Sequence, residues 1–345
     1  MEGLSQYFRS RGSSPEIVIF AGKGGLGKTT SSAALAWHAS QVEGKKTLCF
    51  STDPQASLSD IFEEDIFGKG VVELRPNLHV VEIDADRRVH DYQEQVRAKI
   101  RDMYGLDRVP EEIDEYIEST SAEPAMYESA TYDAMAELVA AREYELYIFD
   151  MPPFGHGVRM VAMADILSKW VEKITETREK VAEYEAVAAT LKGGGKERTE
   201  DAVLHELLDI KRQVTTFTDL ITDRRRTAFF MVLIPEQMAI VDTGRALRMF
   251  SDLNIEMSGL IVNQVYPADL LTDSDLPEFL RNRIGMQQGN LAEIRRLFGD
   301  KVVAAMPMFP REPKGMEMIE AASRVLMDPP DPVRRLFDAA PGAAR

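Results

Sequence analysis

Short runs of apolar residues recur along the chain at 16–20, 47–51, 78–83, 146–150, 228–234, 259–263 and 302–305. Several are continuous rather than alternating, as strands are when both faces are covered. Segments of helical periodicity separate them. This alternation predicts an α/β fold built on a doubly wound, mostly parallel sheet, with ligands at the strand ends. Two stretches interrupt it. Residues 86–142 read as several helices, rich in Glu, Arg and Tyr. In 160–223, Val203, Leu207, Ile210, Val214, Phe217 and Ile221 recur at spacings of 4, 3, 4, 3 and 4. Upstream, Leu167, Trp170, Ile174, Val181, Tyr184 and Leu191 follow a related pattern, with Thr177 breaking the seam. Gly193, Gly194 and Gly195 lie between the two series, which predict a helical hairpin with a coiled-coil-like seam. Both insertions flank the 146–150 strand. The expected division is a core of 1–85, 143–159 and 224–345, carrying a helical subdomain of 86–142 and 160–223.

Composition narrows the partners. The net charge is −16, with 57 acidic residues against 41 basic. That argues against general nucleic-acid binding and against a polybasic membrane anchor. No apolar run approaches the ~20 residues of a membrane helix, and residues 1–16 lack the apolar core of a signal peptide. The single cysteine, Cys49, lies in a strand run, which excludes intrachain disulfides and thiol-rich metal sites within one chain. A cytoplasmic setting is the simplest expectation.

The candidate chemistry is concentrated in GKGGLGKTT, residues 22–30. The run fits G-x-x-x-x-G-K-[ST], with Gly22, Gly27, Lys28 and Thr29 at the fixed positions. Its glycines let backbone N–H groups turn inward around phosphate oxygens. The expected phosphate-binding set is Gly22, Lys23, Gly24, Gly25, Leu26, Gly27, Lys28, Thr29 and Thr30. Lys28 reaches the β- and γ-phosphates and the Thr29 hydroxyl ligates Mg²⁺. An apolar strand before the loop and a helix pattern after it complete the frame, and the helix dipole favours anions. LYIFD at 146–150 ends in an acid, as any strand can; behind a phosphate loop it reads as a Walker B strand whose Asp150 supports Mg²⁺. Asp53, in DPQASLSD, is either a carboxylate that orients a water for attack on the γ-phosphate or a turn residue before Pro54.

Lys23 is not needed by an ordinary phosphate loop. With it, the loop resembles the deviant Walker A class, which includes partition and septum-site ATPases, nitrogenase iron protein, and the arsenite-pump and tail-anchored-protein-targeting ATPases. Further segments resemble the last group. DPQASLSD is similar to its switch I pattern DPAHSLSD. IFDMPPFGHGVRM (148–160) is similar to its switch II pattern FDTAPTGHTLR, preserving Asp150, Gly155, His156 and Arg159. IPEQM (234–238) and IVNQV (261–265) resemble its Pro-Glu and adenine-recognising Asn-Gln segments. MPMFPREPKG (306–315), with Pro307, sits where that family closes its adenine pocket. Departures are Gln55-Ala56 for Ala-His, and Met151 and Phe154 for two threonines.

The resemblance implies a P-loop ATPase that binds ATP and Mg²⁺ and works as a homodimer. Lys23 contacts the partner subunit's phosphates, Asp53 orients the attacking water, and Asp150 couples Mg²⁺ to switch II. Glu236 acts near the ribose and Asn263 hydrogen-bonds adenine; His156 is a packed switch residue rather than a catalytic one. As a targeting factor the protein delivers the hydrophobic helix of a membrane-protein client. Met160, Met163, Ile166, Leu167, Trp170 and Val171 either line a groove for it or form the inner face of a helical bundle. The alternatives are a subunit that serves an arsenite or anion pump, and a partition-type ATPase acting on a surface or cargo. Metalloid-site cysteines are missing, with Pro124, Ala125 and Met126 near the place of one. The CxxC of a zinc clamp is missing too, so no zinc clamp is expected, and a nitrogenase-like electron carrier is excluded.

Overall fold

Every residue of IVIFA, TLCFS, LYIFD and TAFFMVL is buried. These runs form the centre of a sheet covered on both faces. The computed structural model describes residues 3–12, 14–52, 56–121, 124–151, 218–272 and 274–338, with the isolated positions 169, 172, 173, 176, 177, 212, 215 and 216. Among the described residues the strands are β1 (Ile17–Ala21), β2 (Thr47–Ser51), β3 (Val72–Arg75), β4 (Leu78–Glu82), β5 (Leu146–Asp150), β6 (Thr227–Leu233), β7 (Gly259–Val265) and β8 (Val302–Pro307). Their spatial order is β3-β4-β2-β5-β1-β6-β7-β8. All neighbours run parallel except β3 and β4. The seven runs expected as strands are all present. The additional strand, β3, is a charged edge with alternating burial, turned back through Asn77 at φ 67.

The helices, in chain order, are α1 (Leu4–Arg11), α2 (Lys28–Trp37), α3 (Ser57–Phe62), α4 (Ala85–Tyr104), α5 (Glu111–Ser121), α6 (Pro124–Ala140), α7 (Gln237–Asp252), α8 (Glu278–Phe298), α9 (Gly315–Met327) and α10 (Asp331–Asp338). Alternation along β1 sorts the two faces. Ile17 and Ile19 join a core with Met135, Phe149, Ile240 and Leu291, which brings α6, α7 and α8 to that side. Val18 and Phe20 point the other way, toward Leu4, Leu35, Leu58 and Leu326 of α1, α2, α3 and α9. Among the described residues no helix is long and apolar enough to cross a membrane.

The stretch 86–142 is helical, as its pattern predicts. Asp84 caps α4 by accepting from the Arg87 N–H at 3.0 Å, and Gly105 ends it at φ 61. Arg97 on α4 reaches Asp114 on α5 at 2.6 Å, and Gln93 donates to the Ile117 carbonyl at 2.9 Å. α6 sends Tyr132, Met135 and Val139 into the core beside Phe149 of β5. Of the second insertion, the isolated positions and 218–222 are helical, and Leu220 and Ile221 are buried in the same core. The other seam positions, the Gly193–195 break and the 160–171 apolar face lie outside the described residues, apart from Lys169.

Candidate nucleotide-binding site

Parallel pairing of β1 with β5 places Phe20 opposite Asp150, so the acid that ends β5 arrives level with the start of the 22–30 loop. The loop needs glycine at two places for steric reasons. A Cβ on Gly22 meets the Val232 carbonyl oxygen at 2.6 Å, and one on Gly27, at φ 97, meets the Asn263 amide nitrogen at 2.0 Å. Beyond Gly27 the chain enters α2. Its first residue, Lys28, is buried and donates from Nζ to the Lys23 carbonyl at 3.3 Å. One residue on, the Thr29 hydroxyl donates to Asp150 Oδ2 at 2.6 Å, and Asp150 is only 2% exposed. A hydroxyl and a buried carboxylate brought together at a helix N-terminus are the hard oxygen donors that Mg²⁺ prefers.

Thr29 also lines a cleft of about 730 Å³, together with Gly24, Gly27, Asn263, Pro307 and Phe309, among others. The structure therefore brings together the phosphate loop, Asn263 and Pro307. The Asn263 Nδ2 donates to the Leu26 carbonyl at 2.9 Å, which ties the end of β7 to the loop. Glu236 lies elsewhere: it lines a neighbouring cavity of about 530 Å³ with Gln237, Tyr266 and Arg283, and its carboxylate is 3.5 Å from Arg283. Asp53, Pro152, Gly155, His156 and Arg159 lie outside the described residues. Lys23 is 55% exposed and its ammonium pairs with Asp242 of α7 at 3.1 Å.

A family model of anion-transporting ATPases matches residues 15–328. The chain belongs to that family. This ATPase is 31% identical over 312 residues to an Aquifex aeolicus protein named for driving an arsenical pump, an overlap of 90% of this chain and 98% of that relative. It is 29% identical over 317 residues to the ATPase GET3A of Arabidopsis thaliana, covering 91% and 84% of the two chains. An ATPase ASNA1 homolog of Paramecium tetraurelia is 27% identical over 320 residues, covering 90% and 93%. The P-loop resemblance is thus a family relationship, and the chain is an ATP hydrolase.

Two residues of the ATPase's site surroundings escape a reading of the sequence. Glu82, at the end of β4, is 3% exposed and accepts from the Leu58 N–H at 2.6 Å and the Ser59 hydroxyl at 2.5 Å. It thereby satisfies the N-terminus of α3, the helix that follows the DPQ segment. An acid closing the apolar run LHVVE was the available signal. Asp242 carried no such signal, being one acid among many on an amphipathic helix. Cys49 is fully buried in β2, where burial pushes its thiol well above the ordinary range.

Proposed function

We propose that this ATPase hydrolyses ATP with Mg²⁺ as a cytoplasmic homodimer, and that closure on ATP reshapes its helical insertions to bind or deliver a client. The client class is the hydrophobic helix of a tail-anchored membrane protein; no nucleic acid is involved. The observation that carries the reading is the 2.6 Å contact of buried Asp150 with Thr29, which lines the glycine-rich cleft. Loop N–H groups and Lys28 take the phosphates. Thr29 and Asp150 hold Mg²⁺, which neutralises charge on the phosphate oxygens. Asn263 and Pro307 receive the base, and Glu236, in the neighbouring cavity, reaches the ribose only if closure joins that cavity to the cleft. Asp53 orients the water, and Lys23 serves the partner subunit's phosphates. The core of 1–85, 143–159 and 224–345 carries the site, and 86–142 with 160–223 forms the client-facing subdomain.

Turnover of Asp53→Asn, compared with wild type, is the direct test. Loss of about 100-fold or more in turnover with ATP binding retained supports the reading; equal turnover removes Asp53 from the chemistry. Pull-down with the ATP-trapped Asp53→Asn chain then names the load. Single-span, C-terminally anchored proteins support targeting. A membrane pump among them favours the second reading, to which the Aquifex relative's name points. Against direct arsenite activation stands the lone, buried Cys49, because As(III) requires soft thiolate ligands.

A further inference from the structure

The end of β7 departs from regular strand geometry. Its register with β8 shifts between Val262 and Val265, and Gln264 occupies the left-handed region at φ 58. That conformation costs a residue with a Cβ about 1–2 kcal/mol, so neighbouring contacts must hold it. Gln287 of α8 does so with both ends of its carboxamide. Its Nε2 donates to the Gln264 carbonyl at 2.8 Å, and its Oε1 accepts from the Tyr266 N–H at 2.7 Å. The Met308 N–H completes the grip by donating to the Val265 carbonyl at 2.9 Å.

Arg283 and Asn290 lie one turn either side of Gln287 on the same helix face. Asn290 donates to the Pro235 carbonyl at 2.9 Å, and Arg283 stands 3.5 Å from Glu236. One face of α8 therefore braces the loop after β6 and the end of β7 together. Gln264 and Met308 line both the 730 Å³ cleft and the 530 Å³ cavity, so they form the wall between the two. Asn263, next to Gln264, reaches from that wall to the phosphate loop. Gln287 itself lines only the neighbouring cavity.

We infer that Gln287 is a positioning residue for the nucleoside half of the ligand. It locks residues 263–266 so that Asn263 and Gln264 present a fixed wall to the base, while the Lys28 contact with the Lys23 carbonyl and the loop's entry into α2, which Gln287 does not touch, hold the phosphate side. This assignment rests on the nucleotide reading above and adds to it a separation between base recognition and phosphate recognition.

Full-length Gln287→Leu and Gln287→Glu chains, titrated calorimetrically with Mg·ATP and with Mg·tripolyphosphate, test it. Tripolyphosphate offers a phosphate chain without a nucleoside. Loss of two hydrogen bonds lowers ATP affinity of Gln287→Leu by about tenfold, while tripolyphosphate affinity stays within about twofold. Gln287→Glu is nearly isosteric, keeps the acceptor for Tyr266 and sets a carboxylate against the Gln264 carbonyl. It loses ATP selectivity in the same direction and keeps the test standing if the leucine variant does not fold. Equal loss for both ligands, or no loss for either, overturns the assignment. A wild-type chain that binds neither ligand overturns the nucleotide reading beneath it.

Discussion

Lys23 holds its ammonium 3.1 Å from Asp242, and Asp242 is shared with Arg245 at 3.4 Å. With the lysine 55% exposed, a pair of this kind contributes about 0–1 kcal/mol. That is enough to bias where the lysine rests and too little to lock it there. In the proposed homodimer Lys23 must leave Asp242 to reach the partner subunit's phosphates, so the two contacts compete. Asp242→Asn should then reach half-maximal turnover at up to about fivefold lower protein concentration. The gain should fade at high ionic strength, where the pair is already screened. Lys23→Ala should keep ATP affinity and lose turnover. Rates measured against protein concentration at two salt levels decide the matter, and an Asp242→Asn chain that is slower at every concentration sinks the competition.

At the scale of elements, the turn from β1 into α2 is the least tolerant of change. Gly27→Ala combines a left-handed φ of 97 with a Cβ 2.0 Å from the Asn263 amide. It should abolish tight ATP binding while circular dichroism stays native, because the clash sits at the cleft rather than in the core. Adding Asn263→Ala relieves the contact but not the backbone strain, so the double variant should stay impaired; restored binding would place the whole defect in the clash. A second element carries a pH dependence. Burial pushes Asp133 of α6 up to about 6, with Glu137 adding to the rise and Arg88 opposing it. The folded carboxyl holds its proton more tightly than the unfolded one, so stability falls as pH rises from about 4 to 6. Asp133→Asn should exceed wild type by about 1–3 kcal/mol at pH 7, and the advantage should shrink toward pH 4. Thermal melts at both pH values test this, and an Asp133→Asn chain that melts below wild type at pH 7 counts against it. The same elements show what a sequence can reveal. The central strands were legible because burial on both faces leaves an unbroken apolar run, and the loop with Lys28 and Thr29 because its chemistry is local. β3 was not, since an edge strand alternates and carries charge. Nor were Glu82 with Leu58, Gln287 with Gln264, or Lys23 with Asp242, which meet across 24, 23 and 219 residues.

Across the whole molecule, β5 links the chemistry to the helices. Its last residue, Asp150, bonds Thr29 in the cleft, while Phe149 beside it packs with Tyr132 and Val139 of α6. Tyr132 in turn shares a 3.2 Å hydrogen bond with Thr218, which joins the first insertion to the end of the second. A displacement at Asp150 therefore has a packed route into both insertions, and dense cores pass on small shifts rather than absorbing them. Limited proteolysis with and without a non-hydrolysable ATP analogue should show nucleotide-dependent cleavage in 86–121 and 160–217. Asp150→Asn keeps the side chain's shape and removes its charge, so it should bind the analogue more weakly; at saturation it should show a smaller change in cleavage. Identical patterns with and without analogue in the wild-type chain would mean that hydrolysis is not coupled to the helices through β5. The proposed client surface would then have to lie on the core itself.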